Sequence, residues 1–182
     1  MKKKNKCPGT VLGIIKFIDS INNIVGKFVS WCSLFLVITV TTDVILRYGF
    51  NISFVALGEL HWHLYAVIFL LGAGYTLKDN AHVRVDVIYQ RLSRKAKAVI
   101  NILGVIFFLI PGCFLVIKTS IPFIKASWLA NECSPDPGGL PARYVLKSIV
   151  PIAFSLLSIQ GIAMFLKNLC ILFNGELTNS RR

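Results

Sequence analysis

The sequence predicts an all-α integral membrane protein: four transmembrane helices, both termini cytoplasmic, and an N-terminal amphipathic helix lying in the membrane interface. Three observations carry this reading. Of the 182 residues 55% are hydrophobic and only 15% charged, whereas soluble domains run about 45–50% apolar and about 25% charged. The apolar residues are gathered into four blocks, each near the roughly 20 residues that a helix needs to cross a bilayer. The net charge of +12, from 20 Lys+Arg against 8 Asp+Glu, falls mostly between those blocks. Such aliphatic and aromatic content excludes disorder. The five cysteines (Cys7, Cys32, Cys113, Cys133, Cys170) are scattered with no C-x-x-C pair, which excludes a small disulfide scaffold. A nucleic-acid footprint would not be this greasy, so no nucleic-acid partner is expected.

The elements follow in order. Residues 1–27 form a basic N-terminus and an amphipathic helix: Val11, Ile14, Ile15, Ile18, Ile21 and Val25 make an apolar stripe opposite Lys16, Asp19, Ser20, Asn23 and Lys27. Its internal Lys16, Asp19, Asn22 and Asn23, with no small-residue cleavage site after them, argue against a signal peptide. That pattern suits a helix anchored by lysines on anionic membrane lipid; equally, it suits the lower half of one long first helix packed on a neighbouring subunit. Residues 28–173 form the four-helix domain, with spans at about 28–46, 54–77, 98–117 and 148–166, and residues 174–182 a cytoplasmic tail. The first span is interrupted only by Asp43, the third contains Pro111, and the fourth carries Pro151 in its opening turn. Ser53 and Ser93 are the expected N-caps of the second and third helices. Spanning segments must satisfy their own backbone groups, hence helices.

Orientation comes from the charges between the spans. With both termini inside, fifteen of the twenty basic residues lie on the cytoplasmic side. The two outer connections hold Arg47, Lys118, Lys125, Arg143 and Lys147, so the positive-inside bias gives N-in and C-in.

Polar residues inside spans are the candidates for chemistry, because charge in hydrocarbon costs several kcal/mol. Asp43 and Arg47 are four apart and share a face. Glu59 and His63, at the start of the next antiparallel helix, fall at a similar depth. The structural reading is an interhelical cluster with Arg47 held between two carboxylates; the functional reading is an ion or proton site. The first is favoured, since the cluster sits near the interface and not at the midplane where transporters bind cargo. His61 and His63 point some 200° apart on a helix, which argues against haem or zinc. Nucleophilic triads, phosphate loops and midplane ionisable groups are missing, so no enzyme activity and no resident cofactor or metal are expected. Two connections stand out. His82, Arg84 and Asp86 alternate with valines and would clamp the cytoplasmic turn. Ser134 to Pro141, with three prolines and two glycines, would make a rigid outer excursion. Trp62 and Trp128 fit the outer aromatic belt.

These residues resemble a known family. The Arg47-Tyr48-Gly49 run, Glu59 with Trp62, Phe69-Leu70-Leu71-Gly72-Ala73 and His82-Val83-Arg84-Val85-Asp86 resemble the small membrane subunit of tripartite ATP-independent periplasmic (TRAP) transporters, the DctQ-like family. The resemblance covers about Trp31 to Phe165, and Ser134 to Arg143 is similar to the branch labelled as mannitol/chloroaromatic-type small permeases. It implies a bacterial inner-membrane scaffold. Its partners would be a large membrane subunit, which holds the sodium and substrate sites, and a periplasmic solute-binding protein that captures a small, usually anionic solute. Asp43, Arg47, Glu59, Trp62, His63, His82, Arg84 and Asp86 are then structural or subunit-interface candidates. The competing expectation is an autonomous homodimeric four-helix transporter with Glu59 as its coupling carboxylate; a four-helix redox subunit is a third.

Overall fold

The computed structural model of the protein describes residues 8–79 and 92–174. Among them it contains four helices long and apolar enough to span a membrane, and no strand. Helix α1 is Gly9–Gly49, α2 is Val55–Lys78, α3 is Arg94–Leu129 and α4 is Arg143–Asn174. Three of the four (α1, α3 and α4) outrun the spans expected from hydropathy, whereas α2, at 24 residues, is as long as its expected span and shifted by one residue. At about 1.5 Å per residue, the 41 residues of α1 reach about 60 Å, twice the roughly 30 Å of hydrocarbon they must cross. The hydropathy signal ends where hydrocarbon ends, but a helix ends only where its sequence breaks it.

The separate N-terminal interfacial helix is therefore corrected. Residues 11–25 run without interruption into the first span. No proline occurs between Gly9 and Gly49, and Gly13 and Gly26 are tolerated inside a helix at about 1 kcal/mol each. Its polar face packs inside this chain. Asn22 is fully buried, Asp19 pairs with Lys167 of α4 at 2.9 Å, and Asn23 accepts a hydrogen bond from Lys78 of α2. Ile15 and Ile18 are buried beside them.

Helix ends follow local chemistry. Ser93 caps α3 as expected, its hydroxyl accepting from the Ala96 N–H at 3.3 Å. Ser53 does not cap α2. Phe54 takes that place in extended conformation, and its carbonyl accepts from Leu57 and Gly58 N–H. Beyond the C-caps of α1 and α3 sit Asn51 and Asn131, both left-handed (φ 55° and 45°), a conformation asparagine tolerates at helix ends. At α3 the Asn131 and Glu132 N–H groups turn back to the Trp128 and Ser127 carbonyls, so the chain reverses tightly. Lys118 and Lys125, expected in the outer connection, lie within α3.

Pro111 leaves the clearest mark. Proline lacks an N–H and its ring collides with the carbonyl four residues back, here that of Phe107. Just before it, Val105–Leu109 widens into a π-helical turn, with the Ile110 N–H bonded to the Val105 carbonyl. Pro151 lies inside α4, eight residues past its start, instead of in an opening turn.

Helix α4 is the most buried of the four and touches each of the others. Leu77, Val105 and Met164 form a small core with Leu109, Leu157 and Phe165. Asn101 of α3 donates to Asn168 of α4 at 3.1 Å. Close approach of α1 and α2 depends on glycine. A side chain at Gly26 would strike the Tyr75 ring, and one at Gly72 would touch Val29. Large apolar side chains such as Phe17, Trp31, Phe69 and Phe108 point outward, each more than two-thirds exposed. This is the arrangement of a chain whose solvent is lipid. Cys170, expected as an isolated thiol, is disulfide-bonded, while Cys32, Cys113 and Cys133 are free.

Candidate functional site

One end of the bundle carries the start of α1, the end of α2, the start of α3 and the end of α4. The other, the loop end, carries residues 50–54 and 130–142. The register set by Gly26 against Tyr75 and Gly72 against Val29 places Glu59 opposite about residue 42 of α1, so Asp43 and Glu59 do share a depth. They do not share a partner. The expected cluster divides in two, because the two carboxylates turn to different sides of their helices.

Asp43 is buried and bonds only along its own helix, its Oδ2 accepting from Arg47 Nη2 at 2.9 Å; the guanidinium is half exposed. Arg47 therefore serves one carboxylate, not two. The other oxygen of Asp43 has no partner among the described residues.

Glu59, 5% exposed, turns to the 130–142 connection and α4. Its Oε1 accepts from the Ser134 hydroxyl and from Arg143 Nη2 at 3.2 Å, and its Oε2 accepts from the Leu140 N–H at 2.5 Å. Charge-assisted bonds of this kind are roughly twice as strong as neutral ones. Gly139 is required by the approach: a Cβ there would lie 2.9 Å from Glu59 Oε2 and closer still to Ser134. The loop closes on itself through Ser134 N–H to the Leu140 carbonyl (3.2 Å) and Gly139 N–H to the Asp136 carbonyl (3.0 Å). The rigid excursion read from its prolines and glycines is thus a lid folded down onto a carboxylate.

A second carboxylate fixes the same connection from the α3 side. Glu132 accepts from Ser127 Oγ at 2.5 Å and from the Lys147 ammonium, and the Arg143 N–H donates to its carbonyl at 3.0 Å. The Lys147 and Ser127 hydrogen bonds hold the Glu132 carboxyl below the usual carboxylate range, against some desolvation. Arg143 and Lys147 are one turn apart on α4, so a single helix face receives both carboxylates.

Aromatic rings complete the end. The Arg143 guanidinium lies 5.6 Å over the Trp62 ring, the Trp62 and His63 rings lie 4.0 Å apart at a tilt of 39°, and Trp128 meets Tyr144 edge-on at 4.6 Å. His63 Nδ1 donates to the Glu59 carbonyl at 2.6 Å, a bond within its own helix. His63 therefore orders α2 locally and does not reach Asp43 or Arg47. His82, Arg84 and Asp86 lie outside the described residues. Among the described residues no group of three or more His, Cys, Asp or Glu side chains could hold a metal ion.

Sequence reading missed Arg143 as the partner of Glu59. One signal was present, since Arg143 stands immediately after the proline- and glycine-rich loop and begins a helix at the same end. At the opposite end it also missed a polar chain between α1 and α4. Asn22 Nδ2 donates to Gln160 Oε1 (2.8 Å) and Gln160 Nε2 donates to Asp19 Oδ1 (3.1 Å), while a Cβ at Gly74 of α2 would lie 2.6 Å from Asn22 Oδ1.

Comparisons with known proteins agree on one family. Residues 36–171 match the model of the DctQ component of the tripartite ATP-independent periplasmic transporters. A Haemophilus influenzae protein named as a TRAP transporter small permease is 30% identical over 139 residues, 76% of this chain and 83% of that protein. No solved structure is matched.

Proposed function

The chain belongs to the DctQ-component family and is a TRAP transporter small permease subunit, a multi-pass inner-membrane protein and not an enzyme; from that premise we propose that it acts as the fixed helical scaffold of its transporter. Its partners are a large membrane subunit and a periplasmic solute-binding protein, and the complex takes up a small anionic organic solute at the expense of an ion gradient. The loop end faces the periplasm and the terminal end the cytoplasm, as the distribution of basic residues requires. The coupling ion, sodium in this reading, resides on the large subunit.

The saturation of Glu59 carries this proposal. A coupling carboxylate has to exchange its partner during the cycle, taking up an ion or proton at one stage and releasing it at another. Glu59 is engaged at once by a hydroxyl, a guanidinium and a backbone N–H. Releasing it would unfold the loop that supplies two of those donors. The residue therefore fixes shape.

Reconstitution into vesicles tests the proposal. The chain alone is expected to give no solute uptake. Uptake should appear when the large subunit and binding protein are added, and Glu59→Gln should lower the yield of the assembled complex without changing the ion dependence per assembled complex. Gradient-driven uptake by the chain alone, abolished by Glu59→Gln, would establish the autonomous transporter instead.

A further inference from the structure

We propose that the groove at the π-turn of α3 holds an acyl chain of an anionic phospholipid, with its headgroup on the basic first turn of the same helix. Gly104, Phe108, Gly112 and Cys113 of α3 and Phe154 and Leu157 of α4 line a groove of about 400 Å³. Two features hold it open. The widened turn before Pro111 displaces the α3 surface, and a side chain built on Gly104 or Gly112 would meet nothing within 4 Å. An apolar groove of this size on the side of a membrane helix pair has room for a hydrocarbon chain. The walls are apolar, and the groove opens sideways beside Phe107 and Phe108, which are 66% and 80% exposed. An acyl chain lying in the bilayer can enter from there.

The basic end of α3 fixes the ligand class. Arg94, Lys95 and Lys97 occupy its first turn, behind the Ser93 cap. Arg94 and Lys95 are exposed and have no carboxylate partner among the described residues. Lys97 is two turns from Gly104 on the same face. The helix N-terminus adds its own partial positive charge. By helical rise Gly104 lies about 15 Å from Arg94 and Cys113 about 28 Å. A phosphate held at the basic turn therefore leaves the distal half of its acyl chain level with the groove, near the middle of a core about 30 Å thick.

Photo-crosslinking tests this with the full-length chain in vesicles of phosphatidylethanolamine, using phosphatidylglycerol as the probe. A diazirine midway or further along the acyl chain should label the peptides carrying Phe108, Cys113, Phe154 or Leu157; one placed next to the glycerol should not. Gly104→Leu with Gly112→Leu fills open space and should cut that labelling at least about fivefold. Arg94→Gln with Lys95→Gln should lower labelling by phosphatidylglycerol relative to a phosphatidylcholine probe about fivefold per charge, the equivalent of ~1 kcal/mol for each basic residue at an anionic surface. Labelling spread evenly over the outward faces of α1 and α3, or independent of diazirine position, would overturn the site. So would a groove that takes no label while the paired leucine variant loses co-purification with the large subunit, since its occupant would then be a partner helix.

Discussion

The contact between Asn22 and Gln160 offers the sharpest test of how the bundle is held together. Replacing Gln160 by leucine keeps the side-chain volume nearly constant, so the packing cost stays small. It removes two interhelical hydrogen bonds, to Asn22 at 2.8 Å and to Asp19 at 3.1 Å. Asp19 keeps both its contacts with Lys167 at 2.9 Å, so its charge remains paired. Asn22 keeps only a bond to the Ile18 carbonyl at 3.3 Å, in a site with no exposure. Interhelical hydrogen bonds in membrane proteins average about 0.6 kcal/mol and reach about 1.7 kcal/mol; two of them predict a loss of about 1–3 kcal/mol. The pairwise term is isolated by a double-mutant cycle of Gln160→Leu and Asn22→Ala, in which the cavity left by Asn22→Ala cancels. Reversible unfolding in mixed micelles, followed by far-ultraviolet circular dichroism, gives the four free energies. The coupling should lie at about 0.6–1.7 kcal/mol. A coupling below about 0.3 kcal/mol, within the scatter of independent sites, would refute the claim that this pair ties α1 to α4.

Three further outcomes are expected from the same packing. Gly26→Ala drives a methyl group into the Tyr75 ring and should destabilise the bundle by about 1–3 kcal/mol, whereas Gly13→Ala meets nothing and should stabilise it by about 0.5–1 kcal/mol; the same unfolding assay reads both. Gly139→Ala should push the loop off Glu59 and expose residues 130–142 to protease about tenfold faster than wild type, as expected for a local opening made easier by about 1.4 kcal/mol. Glu132 has a carboxyl lowered in the folded state, so its contribution to stability is fully present above its unfolded pKa of about 4.3 and is lost as pH falls through the lower folded value. The emission of Trp128, packed on Tyr144 beside this pair, should stay constant from neutral pH to about pH 4 and change below it; Glu132→Gln should remove that acid step.

The four helices were legible because hydrophobic length maps directly onto bilayer thickness, whereas Pro111 was read only as a residue of the third span and the π-turn before it was not foreseen. Their ends were not legible. Hydropathy stops at Leu46 and Ile117, but no breaking residue stops the backbone there, so α1 continues to Gly49 and α3 to Leu129. The polar stripe of residues 11–25 misled for a related reason. Asp19, Asn22 and Asn23 look like a face for water or headgroups until the partners Lys167, Gln160 and Lys78 are known, and those lie at least 55 residues away. At the loop end, depth was correctly read and azimuth was not. Antiparallel pairing fixes how far Glu59 sits along the bundle, whereas the side it faces depends on where α4 packs. Nothing between Asp43 and His63 encodes that.

The division of polar groups between the two ends bears on mechanism. Residues 28–42, 64–77, 98–117 and 148–166 contain no Asp, Glu, Lys, Arg or His, so these parts of the helices carry no charge at the midplane. The charges are spent at the ends instead: Glu59 with Arg143 and Glu132 with Lys147 at one, Asp19 with Lys167 at the other. All three pairs place their cation on α4, the helix that also contacts every other one. Pinning one central helix at both ends, with glycine-mediated contact between α1 and α2 alongside, resists the sliding and rocking that alternating access demands. On the scaffold reading proposed above, such a subunit contributes by not moving, and the moving, ion-coupled element belongs to its membrane partner. Cysteine cross-links between α1 and α4 at the Asn22–Gln160 level that slow uptake by the assembled transporter would refute a static role. On this reasoning they should leave it unchanged.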